Sequence, residues 1–164
     1  MKDNWRVVLA ALLHDIGKGL GGRHEEKGAE IARRICQRFE IDPQTTDFIV
    51  FLVREHLTMS IVAQKQDISD PDVVKRFAQV VGDEERLNAL YLLTVCDIRA
   101  TGPNVWNKWK SQLLQDLYWQ TLPLVRSEGA PDRDAFLLKR QREAKQMALS
   151  AGVDEKTLRS FWKT

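Results

Sequence analysis

The sequence has little of what characterises a membrane protein, a disulfide-stabilised protein or a nucleic-acid-binding protein. It has two cysteines in 164 residues, Cys36 and Cys96, and neither belongs to a CxxC pair, which favours free thiols in a reducing compartment. No apolar run approaches the length of a bilayer span. The net charge is only +2, with basic and acidic residues interleaved, so a DNA- or RNA-binding surface is not favoured. We expect a cytoplasmic protein without a membrane segment.

Apolar residues recur at spacings of three and four along nearly the whole chain, and the strict alternation typical of strands is missing. This pattern predicts an all-α fold. Helix starts are marked by Asp42-Pro43 and Asp70-Pro71, where aspartate can cap the helix and proline can occupy its first turn, and one helix gives way to the next at Gly82-Asp83. The predicted helices span residues 5–15, 24–39, 44–62, 71–81, 83–101, 105–127, 131–150 and 154–163.

The length of the chain favours one domain with a hydrophobic core of its own. From Pro131 onward the sequence is charged and its apolar stripe is sparse, which is typical of a connecting helix, although a surface helix packed at one edge explains it equally well. We therefore predict one helical bundle over residues 1–127 and a helical extension over residues 128–164.

The chain has three histidines, and each has an ordinary structural explanation when it is taken alone. His14 precedes Asp15 at the end of an apolar helix, where Asp15 can cap a turn and hydrogen-bond the imidazole. His24 follows the loop GKGLGGR and can be exposed at a helix start. His56 lies on the apolar face of its helix, where a hydrogen-bonded core histidine is the usual explanation.

Asp97 lies at the edge of a buried helical stripe, where Arg99 or Lys18 could neutralise it instead of a metal. However, the order His-Asp, His, His, Asp on four successive helical elements is hard to obtain from independent structural accidents. Imidazole and carboxylate without thiolate favour a divalent ion such as Mn²⁺ or Mg²⁺ over a structural zinc. Such an ion can polarise a phosphoryl oxygen and lower the pKa of bound water, so these residues predict hydrolysis of a phosphoester.

The loop before His24 contains Lys18 and Arg23, which supply positive charge where a phosphate could sit. It is not a Walker A loop, because no strand precedes it and no serine or threonine follows the lysine. The simpler interpretation is a flexible turn that delivers His24 to its position.

The pattern of His14-Asp15-x-x-Lys18 with His24, His56 and Asp97 resembles the HD superfamily of metal-dependent phosphohydrolases, which are all-helical. Longer strings, among them LLHDIGKGLGGRHEEKGAE, FLVREHLTMS and LNALYLLTVCDIRATGPNVWNKWK, are similar to the HD domain of the bifunctional PII uridylyltransferase/uridylyl-removing enzymes of bacterial nitrogen control. The similarity covers roughly residues 5–127. The segment after it resembles the part of those enzymes that leads to their ACT domains.

The resemblance implies a hydrolase that removes UMP from a tyrosine of the PII signal protein by cleaving a phosphodiester. By motif position it implies a divalent-metal site, with Mn²⁺ or Mg²⁺ as the ion, made by His14, Asp15, His24, His56 and Asp97. Asp15 and Lys18 would be catalytic, Lys18 by neutralising charge on the phosphoryl group. The candidates for substrate contact are Lys18, Arg23, Arg99, Thr101 and Asn104. Helix termination and capping explain the last three at least as well.

Two features of that family are missing from this chain. HD domains typically carry a further histidine upstream of the His-Asp pair, and here only thirteen residues precede His14. The nucleotidyltransferase and ACT domains, which would neighbour this domain in the intact protein, are also absent. We therefore expect the isolated chain to bind metal weakly or to be inactive. A catalytically incomplete signal-relay module and an HD hydrolase of free nucleotides or alarmones remain alternative functions.

Overall fold

In the computed structural model, residues 4–102 and 105–128 are described, and they form seven helices and no strand. The helices are α1 (Asn4–Leu13), α2 (His24–Arg38), α3 (Pro43–Glu55), α4 (Thr58–Lys65), α5 (Pro71–Val81), α6 (Glu84–Thr101) and α7 (Lys108–Glu128). The predicted all-α fold is confirmed. None of these seven helices is long and apolar enough to cross a bilayer. The predicted helices at residues 131–150 and 154–163 lie outside the described residues.

Three of the helices begin at aspartate caps. The carboxylates of Asp42, Asp70 and Asp83 each accept a hydrogen bond from a backbone N–H in the first turn of the helix that follows. These bonds satisfy donors that have no partner within the helix itself. Pro43 and Pro71 occupy the first positions of α3 and α5, where a missing N–H costs nothing. These starts therefore form where the sequence predicts them.

Helix α3 is the centre of the bundle, and α1, α2 and α6 pack around it. Its residues Leu52 and Val53 are fully buried. Helix α2 approaches it closely because it presents the small residues Gly28, Ala29 and Ala32. A Cβ atom on Gly28 would lie only 3.2 Å from Cγ1 of Val53. This close packing brings the start of α2 near the end of α3.

Helix α7 lies beside α6, joined to it by polar contacts. The hydroxyl of Tyr118 donates to Oδ1 of Asn88 at 2.7 Å. The guanidinium of Arg126 donates to both carboxylate oxygens of Glu84, each at 2.7 Å. The described residues up to Arg126 belong to one compact unit. The division into a domain over residues 1–127 and an extension over residues 128–164 stays a prediction.

Helix α1 ends slightly earlier than predicted, at Leu13, so His14 and Asp15 lie in a turn instead of on the helix. Two backbone hydrogen bonds make this turn, from Ile16 N–H to the Leu13 carbonyl at 3.0 Å and from Lys18 N–H to the Asp15 carbonyl at 2.9 Å. The physical reason is the close approach of this turn to the start of α2, where the Gly17 backbone packs against the His24 carbonyl and the Gly28 nitrogen.

The single helix predicted over residues 44–62 is wrong, because the structure divides it into α3 and α4 at His56 and Leu57. Both residues keep right-handed helical dihedral angles, so the apolar spacing continues through the break. The Thr58 hydroxyl donates to the Glu55 carboxylate at 2.6 Å across it. Helix α4 then runs toward α5 and α6. With no glycine or proline at the break, the sequence pattern does not mark it.

Candidate metal centre

Four separate elements deliver the predicted ligands to one place. His14 and Asp15 lie in the turn after α1, His24 is the first residue of α2, His56 follows the last residue of α3, and Asp97 lies on α6. His56 is almost fully buried, whereas the other four side chains are partly exposed. The site is therefore a shallow polar recess whose floor is the His56 imidazole.

Asp15 is the centre of this group. Its Oδ2 atom lies 3.2 Å from Nε2 of His14, and its Oδ1 atom lies 3.7 Å from Nε2 of His24 and 3.8 Å from Nε2 of His56. Oδ1 of Asp97 lies 3.4 Å from the same His14 nitrogen. The potential ligand atoms of Asp15, His24 and His56 all lie within 4.8 Å of one another. The structure thus brings together all five residues that the sequence predicts as ligands.

The other ring nitrogens show which atoms face the recess. Nδ1 of His14 lies 2.7 Å from the Ala11 carbonyl oxygen, and Nδ1 of His56 lies 2.7 Å from the Val53 carbonyl oxygen. A carbonyl can only accept, so both Nδ1 atoms must carry the proton. In the neutral ring, Nε2 then presents a lone pair. Both lone pairs point toward carboxylate oxygens, which are also acceptors.

Acceptors that face acceptors repel one another unless a proton or a metal ion lies between them. The Nε2 atoms of His14, His24 and His56 are all buried and make no hydrogen bond within the described part of the chain, although leaving a buried polar atom unsatisfied is costly. A divalent ion bound by imidazole nitrogens and carboxylate oxygens would satisfy Nε2 of His24 and of His56 together, because their ligand atoms and that of Asp15 lie close enough for one ion. The residues present therefore fit a metal ion.

The electrostatics of the recess favour the metal-binding protonation states of Asp15 and His56. Burial raises the pKa of Asp15, but the hydrogen bond and the positive charge of Lys18 act in the opposite direction, and the net pKa is lowered. Burial also lowers the pKa of His56, which favours its neutral form. Asp15 is thus held as a carboxylate beside a neutral His56 imidazole.

Lys18 lies at the rim of the recess. Its ammonium donates to Oδ2 of Asp15 at 2.5 Å, and this bond raises the pKa of Lys18. The side chain is nevertheless 64% exposed. It therefore places a positive charge beside the cluster and in contact with solvent, where a phosphoryl group can reach it.

Four further residues are predicted to contact substrate, and the structure describes three of them. Arg23 is engaged by two carboxylates, Glu25 at 2.8 Å and Glu26 at 2.9 Å. Arg99 is exposed on α6, and the Thr101 hydroxyl donates to the Asp97 carbonyl at 2.9 Å. Asn104 lies outside the described residues. Their roles in substrate binding stay predictions.

Sequence reasoning missed two residues that shape this centre. A Cβ atom on Gly17 would lie 2.1 Å from the His24 carbonyl oxygen, so only glycine fits where the turn passes α2. Glu25 lies against both Arg23 and His24, and the Arg23 hydrogen bond lowers the pKa of Glu25. The sequence signal for Glu25 was that it directly follows His24. Acidic residues in a first helical turn are common without such a role, however.

Comparison with known proteins agrees with this geometry. The chain is 50% identical over 97% of its length to the bifunctional uridylyltransferase/uridylyl-removing enzymes of Bordetella avium and Bordetella pertussis, and 50% identical over 96% to that of Burkholderia thailandensis. The chain spans only 18% of the length of each relative. No solved structure matches it. A family model described as the HD domain matches residues 1–98, and the chain belongs to the HD domain family.

Proposed function

We propose that this chain is a metal-dependent phosphodiesterase domain that removes UMP from a uridylylated tyrosine of a PII-type signal protein. The observation that supports it most is the set of three buried, unsatisfied Nε2 atoms facing two carboxylates. The relatives named for uridylyl removal supply the substrate class. On this proposal the protein acts in bacterial nitrogen regulation in the cytoplasm, beside nucleotidyltransferase and ACT domains of a longer polypeptide.

In this proposal His14, Asp15, His24, His56 and Asp97 hold the divalent ion, which is Mn²⁺ or Mg²⁺. The ion, when bound, polarises the phosphoryl oxygens and makes water a stronger nucleophile. The hydrogen bonds of His14 and His56 to backbone carbonyls keep their Nε2 lone pairs aimed into the recess. These residues are thus oriented before substrate arrives, so little reorganisation is needed during the reaction.

Hydrolysis forms a bond between water oxygen and phosphorus and breaks the bond between phosphorus and the tyrosyl oxygen. UMP leaves with the new hydroxyl, and the tyrosine regains its proton. Negative charge remains on the non-bridging phosphoryl oxygens throughout. Lys18 is exposed beside Asp15, so its ammonium neutralises part of that charge. Arg99, Thr101 and Asn104, which follow Asp97 closely in sequence, would contact the remainder of the substrate.

The test uses the longer polypeptide that contains this domain, and it measures UMP release from uridylylated PII protein in Mn²⁺, in Mg²⁺ and in chelator. We expect release that depends on the ion and that Asp97→Asn abolishes. Asp116→Asn is the matched control, because Asp116 lies on α7 and accepts a hydrogen bond from Gln112. If that polypeptide binds Mn²⁺ tightly and yet releases no UMP, the proposal fails and a signal-relay role takes its place. Release from free uridine nucleotides alone would also overturn it.

A further inference from the structure

His24 differs from the other two histidines in how its ring can be anchored. His14 and His56 each follow a helix, so the carbonyl three residues earlier lies within reach of Nδ1. His24 instead begins α2, and the residue three positions earlier, Gly21, lies in the loop with a φ of 73°. Within the described residues, no backbone carbonyl accepts a bond from Nδ1 of His24. A neighbouring side chain is therefore the protein group that can hold this ring.

Glu25 is placed to supply that side chain. Its Oε2 atom lies 3.5 Å from Nδ1 of His24, closer to that nitrogen than any other described acceptor for which a contact is found. Its other oxygen, Oε1, accepts a hydrogen bond from Nε of Arg23 at 2.8 Å. The Glu25 side chain is only 15% exposed, so it is sheltered from competing water. Arg23 and Glu25 thus form a short chain of polar contacts that ends on His24.

We propose that Glu25, held by Arg23, is a positioning residue for His24. Its carboxylate accepts a hydrogen bond from Nδ1–H of His24. This bond directs the Nε2 lone pair at Asp15 and the metal ion. A carboxylate that fixes a metal-binding histidine in this way sets the tautomer and the ring orientation and raises the basicity of the ligand. The inference rests on the proposed function. It gives Arg23 the role of holding Glu25 instead of the role of binding substrate.

Manganese affinity is the first test, measured by calorimetric titration of the chain with Mn²⁺ at one fixed neutral pH. We expect Glu25→Ala to weaken binding about 10- to 100-fold. Glu25→Gln keeps an oxygen that can accept a hydrogen bond from Nδ1–H, so it should recover part of the lost Mn²⁺ affinity. Glu26→Ala is the matched control, because Glu26 also pairs with Arg23 but is 54% exposed; it should change affinity less than about twofold.

The ring tautomer of His24 is the second test, read from ¹⁵N chemical shifts in the metal-free chain. We expect the Nδ1-protonated form in the parent chain and in Glu26→Ala, and a mixture of both tautomers in Glu25→Ala. This measurement needs no metal, so it distinguishes failure of the role of Glu25 from failure of the proposed function. An altered tautomer in a chain that binds no Mn²⁺ supports the role of Glu25 and contradicts the proposed function. Tight Mn²⁺ binding with neither affinity nor tautomer altered in folded Glu25→Ala overturns the role of Glu25 alone.

Discussion

Asp15 contacts more members of the candidate site than any other described residue, since its two oxygens lie near all three histidines and Lys18. We expect Asp15→Asn to weaken Mn²⁺ binding by more than 100-fold, because a negatively charged ligand is lost from the centre of the cluster. The metal-free protein should keep its stability to within about 1 kcal/mol, because the amide is isosteric and can donate to an imidazole nitrogen.

Equilibrium dialysis against Mn²⁺ and urea unfolding of the metal-free chain measure these two effects. Asp47→Asn is the control, because Asp47 pairs with Arg33 and belongs to no part of the recess. Should Asp15→Asn bind Mn²⁺ as tightly as the parent chain, Asp15 is not a ligand. Should it unfold instead, its role is structural.

The two cysteines are expected to differ in reactivity. Cys36 is fully buried, and burial raises the pKa of its thiol, so at a given pH less of it is the reactive thiolate. Cys96 is exposed. At about pH 8, iodoacetamide should modify Cys96 in the folded chain and Cys36 only after unfolding. Mass spectrometry of Cys96→Ser checks this, and rapid labelling of that variant in its folded state would contradict it.

At the scale of elements, the turn between α1 and α2 determines where the ligands meet. Gly17→Ala places a methyl group where the His24 carbonyl oxygen lies, so the turn and the first residues of α2 must separate. We expect a loss of about 1–3 kcal/mol in unfolding free energy, the usual cost of overpacking, and a clear loss of Mn²⁺ affinity because His24 moves.

Urea unfolding and Mn²⁺ titration measure the effect of the Gly17 variant. Gly19→Asn in the same turn is the control, because a Cβ atom there meets nothing within 4 Å and asparagine tolerates the left-handed φ of 82°. If the two variants behave alike, the contact between the turn and α2 does not position His24.

The division of the helix predicted over residues 44–62 shows which helix boundaries cannot be predicted from the sequence. The starts of α3 and α5 are predictable because Asp42-Pro43 and Asp70-Pro71 are sequence signals for a helix start. The break at His56 carries none, since its backbone stays near helical angles and its neighbours continue the apolar spacing. The break results from packing, as α4 turns toward α5 and α6.

At the scale of the whole molecule, a metal ion held by the proposed ligands would link the turn after α1 to α2, α3 and α6, so its binding would be coupled to folding. An ion that binds only the folded state stabilises it by about 2.7 kcal/mol at 100 times its dissociation constant. For a domain of this size that corresponds to a rise in Tm of about 5–10 °C. Calorimetry with Mn²⁺ and then with chelator should show the rise and its reversal, and Asp15→Asn should show neither. An unchanged Tm in saturating Mn²⁺ would rule out a site formed by folding.

The sequence by itself determined the helical class, the capped starts and the five side chains of the candidate site, because spacing, caps and residue chemistry are local properties. It could not determine that His14 and Asp15 leave the helix, that a break occurs at His56, or that Glu25 lies against His24. Those features depend on how α1, α2 and α3 pack, since the close approach at Gly17 and Gly28 sets the direction of each side chain. Only the tertiary structure brought the Nε2 atoms of three imidazoles close to the Asp15 carboxylate.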